Sequence, residues 1–326
     1  MSLLEDSDAV SFVERHVALR DVRSITERYT QRAISTASHQ TSVQMCLELL
    51  GSRSRLIPVV MSVTAPPGSI AAVLRAGAQP LLVDVDESTL QLSVPALQEV
   101  LEELDGGAVV FLHRPGGRLF TPKVMEVIQD LPTIIDARFM PAPSSVKNDL
   151  LGTFNLFDLT PAIGCGSLIF HSYQDQIREL KMVRSGILGY AATLPVSFHC
   201  TAQQYLDASL EDQQCVTQEV FSNYTSLLKA LARDDILFFE NNKAIQHFLV
   251  GVPDAEKVVA HLSSYSIESK LGVFPLHYVE ALRTRWEEDP SYPVAEDLHK
   301  RVLALPAHSG VAGKEADIIS KMLEVI

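Results

Sequence analysis

The chain has 326 residues, 47% of them hydrophobic and 21% charged, with a formal net charge of −13 at pH 7. That length and apolar content suit a globular protein with a sizeable core, either two domains or one large α/β domain with an appendage. The acidic excess is spread along the chain and argues against a nucleic-acid partner, and apolar runs such as Leu56–Met61 and Ile70–Leu74 fall far short of the roughly 20 residues of a membrane span.

Met1–Arg20 carries early acids and no apolar core of a signal peptide, so the expected location is the cytoplasm. From there the pattern alternates. Helices are expected at Thr41–Leu50, closed by Gly51, at Ser69–Ala76, closed by Gly77, at Val94–Leu104 and at Lys123–Gln129. A glycine just past the last apolar turn is the expected stop, because it enters the left-handed cap without strain. Strands are expected at Ile57–Met61, Pro80–Val85, Ala108–His113, Thr133–Asp136 and Ser167–His171. These runs are apolar without polar alternation, as in strands of a parallel sheet covered on both faces, which predicts a doubly wound α/β architecture.

Beyond Thr201 the character changes. A long helical stretch, rich in Gln, Asp and Glu, runs to Ala232 and links to a small α+β unit. That unit contains Ile236–Phe239, His247–Val252, a helix over Asp254–Ser263 and a terminal helix over Lys314–Val325. The division expected is a large domain over 1–200 and a connecting helix with a small C-terminal domain over 201–326. There is no internal repeat. The four cysteines, Cys46, Cys165, Cys200 and Cys215, form no C-x-x-C pair, and only His199 and Cys200 are adjacent. Buried or idle thiols are expected, and no metal.

Three segments, in order, carry a resemblance. Arg75-Ala76-Gly77-Ala78-Gln79-Pro80 running on through Val83-Asp84-Val85-Asp86 resembles an "AGA-x-P … D-v-D" segment. Phe274-Pro275-Leu276-His277 resembles a "Y-x-P-l-H" turn. Pro293-Val294-Ala295-Glu296, followed by Val302-Leu303-Ala304-Leu305-Pro306, resembles a "P-x-A-E … v-L-s-L-P" ending. Together they resemble the DegT/StrS family of nucleotide-sugar aminotransferases, over roughly residues 30–326. The resemblance implies fold type I of the pyridoxal-phosphate enzymes: a large domain with a mostly parallel seven-stranded sheet flanked by helices, and a small α+β domain. It also implies a dimer with its active site near the interface.

Pyridoxal phosphate supplies an electron sink, while the protein anchors it, tunes its ring and provides a lysine amine. By resemblance Thr133-Ile134-Ile135-Asp136-Ala137 matches a strand ending in "E-D-A", whose aspartate pairs with the ring nitrogen. Asp136 is thus the candidate ring partner, or else a strand-end aspartate capping the next turn. The phosphate-binding "S-G-T" turn corresponds to Ser38-His39-Gln40, where His39 puts a bulky side chain at the point of closest backbone approach. Ser38 alternatively serves only as an N-cap. The aromatic expected over the ring is missing from Met61–Pro67, and Arg138-Phe139 replaces the amide or imidazole on the other face.

The lysine is absent from its expected segment. In the family it lies between a "G-T-F-S-F" strand and a "G-E-G-G" turn; here Gly152–Leu156 and Gly164-Cys165-Gly166-Ser167 are the anchors. The slot falls on Leu159, Thr160 or Pro161, and no lysine occurs from Asn148 through Leu180. Thr160 is an alcohol and forms no imine. Lys147 precedes the strand, and His171 lies past the turn at a strand end, where an ordinary half-buried imidazole is expected. Arg114-Pro115-Gly116-Gly117-Arg118 reads as a solvated turn in preference to an anion site. No dinucleotide fingerprint, nucleophile elbow or Walker lysine is present.

The expectation is a catalytically silent relative, a homodimer or the partner of an active aminotransferase, with a pocket for a nucleotide sugar or another small ligand. The alternative is an active pyridoxal-phosphate enzyme moving an amino group from glutamate to a keto sugar. A third is a cofactor-free binding or regulatory module on the same fold.

Overall fold

The computed structural model describes residues 33–51, 56–104, 107–138, 153–158, 167–183, 217–239, 247–283 and 290–326. Seven strands form one sheet: β1 (Ala33–Thr36), β2 (Pro58–Ser62), β3 (Gln79–Val83), β4 (Val109–His113), β5 (Thr133–Asp136), β6 (Phe154–Asp158) and β7 (Ser167–Phe170). Their order is β1-β7-β6-β5-β4-β2-β3. β7 is antiparallel to both neighbours, whereas β6-β5, β5-β4, β4-β2 and β2-β3 pair in parallel. The mixed α/β, mostly parallel sheet is therefore the one expected from the apolar runs. β1 was not foreseen, being only four residues long and lying at the sheet edge.

Helices α1 (His39–Leu49), α2 (Pro67–Arg75) and α5 (Gln174–Val183) cover one face; α3 (Val94–Glu103) and α4 (Pro122–Ile128) cover the other. β4 shows why its sequence does not alternate in polarity. Val109 and Phe111 join the core beneath α1, α2 and α5, while Val110 and Leu112 join the core beneath α3 and α4. Both faces are dry, so both must be apolar. The predicted glycine stops hold: Gly51 and Gly77 have φ of 92° and 77°, and their amides close the last turns on Glu48 and Leu74. α1 and α2 begin two residues earlier than the apolar pattern suggests. Ser38 caps α1, and Pro67 stands in the first turn of α2, where its missing N–H costs nothing.

A second sheet, all antiparallel, contains β8 (Leu237–Phe238), β9 (His247–Gly251), β10 (Lys270–Leu271) and β11 (Val302–Pro306) in the order β10-β11-β9-β8. Phe248, Val250, Leu303 and Leu305 pack from one face against helix α6 (217–231), α7 (Ala255–Ser264) and the C-terminal α9 (Glu315–Leu323), with α8 (Pro293–Arg301) on the opposite side. On that opposite side Leu249 and Ala304 meet Val63, Val85 and Leu90, together with Ala295 and Leu298 of α8. Of the long helical stretch expected over Thr201–Ala232, residues 217–231 are helical, Ala232 lies just past the helix end with a φ of 46°, and 201–216, with the 200/201 boundary, lie outside the described residues.

A carboxylate ties the two sheets together. Asp84, just after β3, accepts from the amides of Val294 (3.1 Å) and Ala295 (3.0 Å), the open donors at the start of α8. The N-cap residue Tyr292 makes no side-chain capping bond, and Glu296 of the helix accepts from the Tyr292 amide, at 3.0 Å. Asp84→Ala is expected to cost about 1–2 kcal/mol in equilibrium denaturation, and Asp84→Asn, which keeps an acceptor, less than half of that. Equal losses for the two variants would show that the carboxylate does not cap α8.

Candidate functional site

The C-terminal ends of the parallel strands meet at one edge of the large sheet, where α/β folds of this kind place their sites. Asp136 is the last residue of β5 and stands beside His113, the last residue of β4. β1 ends at Thr36 and leads at once into α1, which brings Ser38, His39 and Gln40 to the same edge. The start of α2 adds Ser69.

Asp136 is 2% exposed, and its charge is met from within the chain. Arg138 Nε donates to Asp136 Oδ2 at 2.9 Å and to Oδ1 at 3.1 Å, and Arg138 Nη2 lies 2.9 Å from Oδ2. The Arg138 amide donates to Oδ1 at 3.1 Å, so the aspartate also caps the turn that follows its strand. Arg138 Nη2 reaches on to Ser69 Oγ at 3.0 Å. His39 Nε2 stands 3.3 Å from Asp136 Oδ2, at ion-pair distance without the alignment of a hydrogen bond. Burial alone would raise the Asp136 carboxyl, but His39 and Arg138 outweigh it and hold the group well below the usual carboxylate range.

The Ser38-His39-Gln40 turn is filled by its own side chains. Ser38 Oγ accepts from the Thr41 amide at 3.2 Å and shares a 2.9 Å bond with Thr41 Oγ1, which is N-cap geometry. His39 is buried, and its Nδ1 has no hydrogen-bond partner among the described residues. The Gln40 side chain lies over Gly68 at the start of α2: a Cβ built on Gly68 would come within 2.8 Å of Gln40 Nε2.

Two expectations need correction. The Arg114–Arg118 turn is not solvated: Arg114 and Arg118 are 6% and 8% exposed. Arg114 lies 4.9 Å over Phe120, and Arg118 lies 5.5 Å over Phe239 and donates to the Ser88 carbonyl. Guanidinium stacking on aromatic faces makes burial tolerable where turn composition alone suggests water. His171 is fully buried instead of half-buried, 4.6 Å from the Phe154 ring, and its Nδ1 accepts from the Tyr173 amide.

In Met61–Pro67, Val63 is buried and Ser62 Oγ accepts from the Thr64 amide. Cys46 is buried, and burial pushes its thiol up. Lys147, Leu159, Thr160, Pro161, Gly164-Cys165-Gly166, His199, Cys200 and Cys215 lie outside the described residues. Among the described residues no group of three or more His, Cys, Asp or Glu is placed to hold a metal, and no helix is long and apolar enough to cross a membrane.

The sequence reading missed His113. Its signal was a polar residue ending an apolar strand, as with Asp136 in the next strand. Burial, with Arg138 adding to it and Asp136 opposing it, pushes the His113 imidazole down to about 4, so it is neutral near pH 7. The unfolded chain takes up that proton near 6.5, the folded chain only near 4, so stability falls as pH drops from about 6.5 to 4. The loss is on the order of 3 kcal/mol for this one imidazole. His247, half-buried and also pushed down to about 4, adds a second part in the same window. His113→Gln should flatten the profile to the His247 part, as followed by urea midpoints across that range; an unchanged slope would show that His113 is not held neutral.

A model of the DegT/DnrJ/EryC1/StrS aminotransferase family matches residues 25–134 and 196–324. A comparison with curated protein sequences found no match. Among solved structures, a DegT DnrJ EryC1 StrS aminotransferase from Brucella abortus is 18% identical with a TM-score of 0.75, covering 99% of this chain and 99% of its own. NtdA from Bacillus subtilis, solved with bound cofactor PMP, is 13% identical with a TM-score of 0.80, covering 98% of this chain and 82% of its own. The sugar aminotransferase CalS13 from Micromonospora echinospora is 12% identical with a TM-score of 0.78, covering 98% and 97%. At these identities the likeness is one of fold, that of the pyridoxal-phosphate-dependent aminotransferases. With the family model matched on both sides of the segment where a lysine was sought, the chain belongs to the DegT/DnrJ/EryC1/StrS aminotransferase family.

Proposed function

We propose that this chain is a family member that does not transaminate, and that it acts by binding. The observation that carries this reading is the missing amine. A transaminase of this fold needs a lysine as imine former and as proton shuttle. No lysine occurs from Asn148 through Leu180, so the slot at Leu159, Thr160 or Pro161 is empty of amine wherever its backbone runs. Among the described residues every lysine is at the surface and none is buried.

The residues around the edge site do not fit pyridoxal phosphate either. The Ser38 hydroxyl is committed to its own helix, His39 and Gln40 fill the turn, and both oxygens of Asp136 are engaged by Arg138. A ring nitrogen approaching Asp136 would have to displace a guanidinium held by several contacts. No step of transamination is therefore assigned to this chain.

Binding remains as the role. The sugar aminotransferases that share the fold favour a nucleotide sugar or a similar small ligand. The family's fold also suits pairing, with a second copy or with an active aminotransferase whose partner it would be.

The test is direct. Purified protein incubated with equimolar pyridoxal phosphate and then desalted should show no aldimine band, and borohydride treatment should add no stoichiometric pyridoxyl group to its mass. A yellow protein with an added pyridoxyl mass, or turnover of a keto sugar with glutamate, would overturn the reading. Loss of the lysine alone removes a group typically worth about 10²–10⁴-fold in rate, so residual turnover within that factor of a normal enzyme also counts against it.

A further inference from the structure

Asp136 presents a physical problem that the chain solves with its own residues. A carboxylate 2% exposed at a strand end is costly unless a cation matches it and donors fill its lone pairs. Here Arg138 supplies Nε, Nη2 and its own amide to the two oxygens, and the same Nη2 donates to Ser69 Oγ on α2. The Asp136 side chain is 1% exposed and that of Arg138 18%, so the pair is desolvated on the carboxylate side and borders solvent on the guanidinium side.

We infer that Arg138 is a built-in counter-ion: it occupies, in cis, a site at Asp136 that is shaped for a planar monocation with two adjacent nitrogen donors. The site is complete without an external cation, and it is open to one only when the Arg138 side chain is removed. The ligand class of that latent site is set by the geometry. Nε, shared between the two oxygens at 2.9 and 3.1 Å, and Nη2, 2.9 Å from Oδ2, are adjacent nitrogens of one planar group, which describes a guanidinium or amidinium; a spherical metal ion or a lone ammonium has no second coplanar donor. Ser69 Oγ adds a third acceptor in the same region. The inference is independent of the absent amine: a borohydride-fixed adduct would overturn the reading above and leave this test unchanged.

Arg138→Ala in the full chain is expected to lower the thermal midpoint by on the order of 5 °C, because it strands a buried carboxylate. Millimolar guanidinium chloride should then raise the variant's midpoint relative to sodium chloride at equal ionic strength, and should not raise that of the unsubstituted protein. A variant as stable as the parent, or a guanidinium effect equal in both, overturns the inference. Should Arg138→Ala not fold, the pair is read through Asp136→Asn and the double variant Asp136→Asn with Arg138→Met. The double variant is expected to melt above Asp136→Asn alone, since it removes the stranded guanidinium as well. A double variant that melts lower, with the two losses simply adding, overturns the inference.

Discussion

The edge of the large sheet is organised by the need to neutralise one buried carboxylate. Parallel strands end together, and each brings whatever polar residue terminates it to a place with little water. Asp136 arrives there from β5 and must find a partner. Arg138, two residues on, turns back onto it, reaches Ser69 at the start of α2, and stands with His39 at the start of α1. Three elements are thereby tied to one charge. His113 is part of the same arrangement: its neutrality follows from burial beside a guanidinium already paired. A salt bridge of this kind is weak support for overall stability but strong against the loss of one member, because what remains is an unmatched charge in a dry place.

Much of the fold was legible in the sequence, for a physical reason. Strands covered on both faces have to be apolar at consecutive positions, and β2, β4 and β5 announce themselves as such runs. Gly51 and Gly77 mark helix ends because a left-handed residue is needed there. β1 was not legible: it has four residues and, among the described residues, pairs with β7 alone. The starts of α1 and α2 were read two residues late, since Ser38 and Pro67 mark them by capping and by restricted φ, which carry no apolar signal.

The site was legible in its members but not in their contacts. Asp136 was recognisable as a strand-end acid, and both readings of it describe the same location: its oxygen does cap the following turn, through the Arg138 amide. That Arg138 also closes on the carboxylate is a side-chain matter that no spacing rule reveals, and His39 comes from a strand-helix junction remote in sequence. Arg114 and Arg118 were misread for a related reason. Glycine and proline beside arginine suggest a wet turn, yet Phe120 and Phe239 provide the aromatic faces that let both guanidinium groups be buried.

Two features of this chain, far apart in kind, fit one account. A scaffold that holds a cationic ring against an aspartate has that aspartate's charge matched by its ligand. If, as proposed, no amine fixes such a ring here, the charge still has to be matched, and an aspartate left alone at the strand end would be protonated or would draw in water. Placing a permanently charged arginine two residues downstream meets the requirement with a short, pre-organised connection, since a guanidinium does not lose its proton on burial. On the proposed reading, the cation at Arg138 and the absence of lysine between Asn148 and Leu180 fit together as one way for the edge of the sheet to balance its charge. In that account the fold is retained because its cores do not depend on the site: the apolar layers on either side of the sheet are complete in themselves.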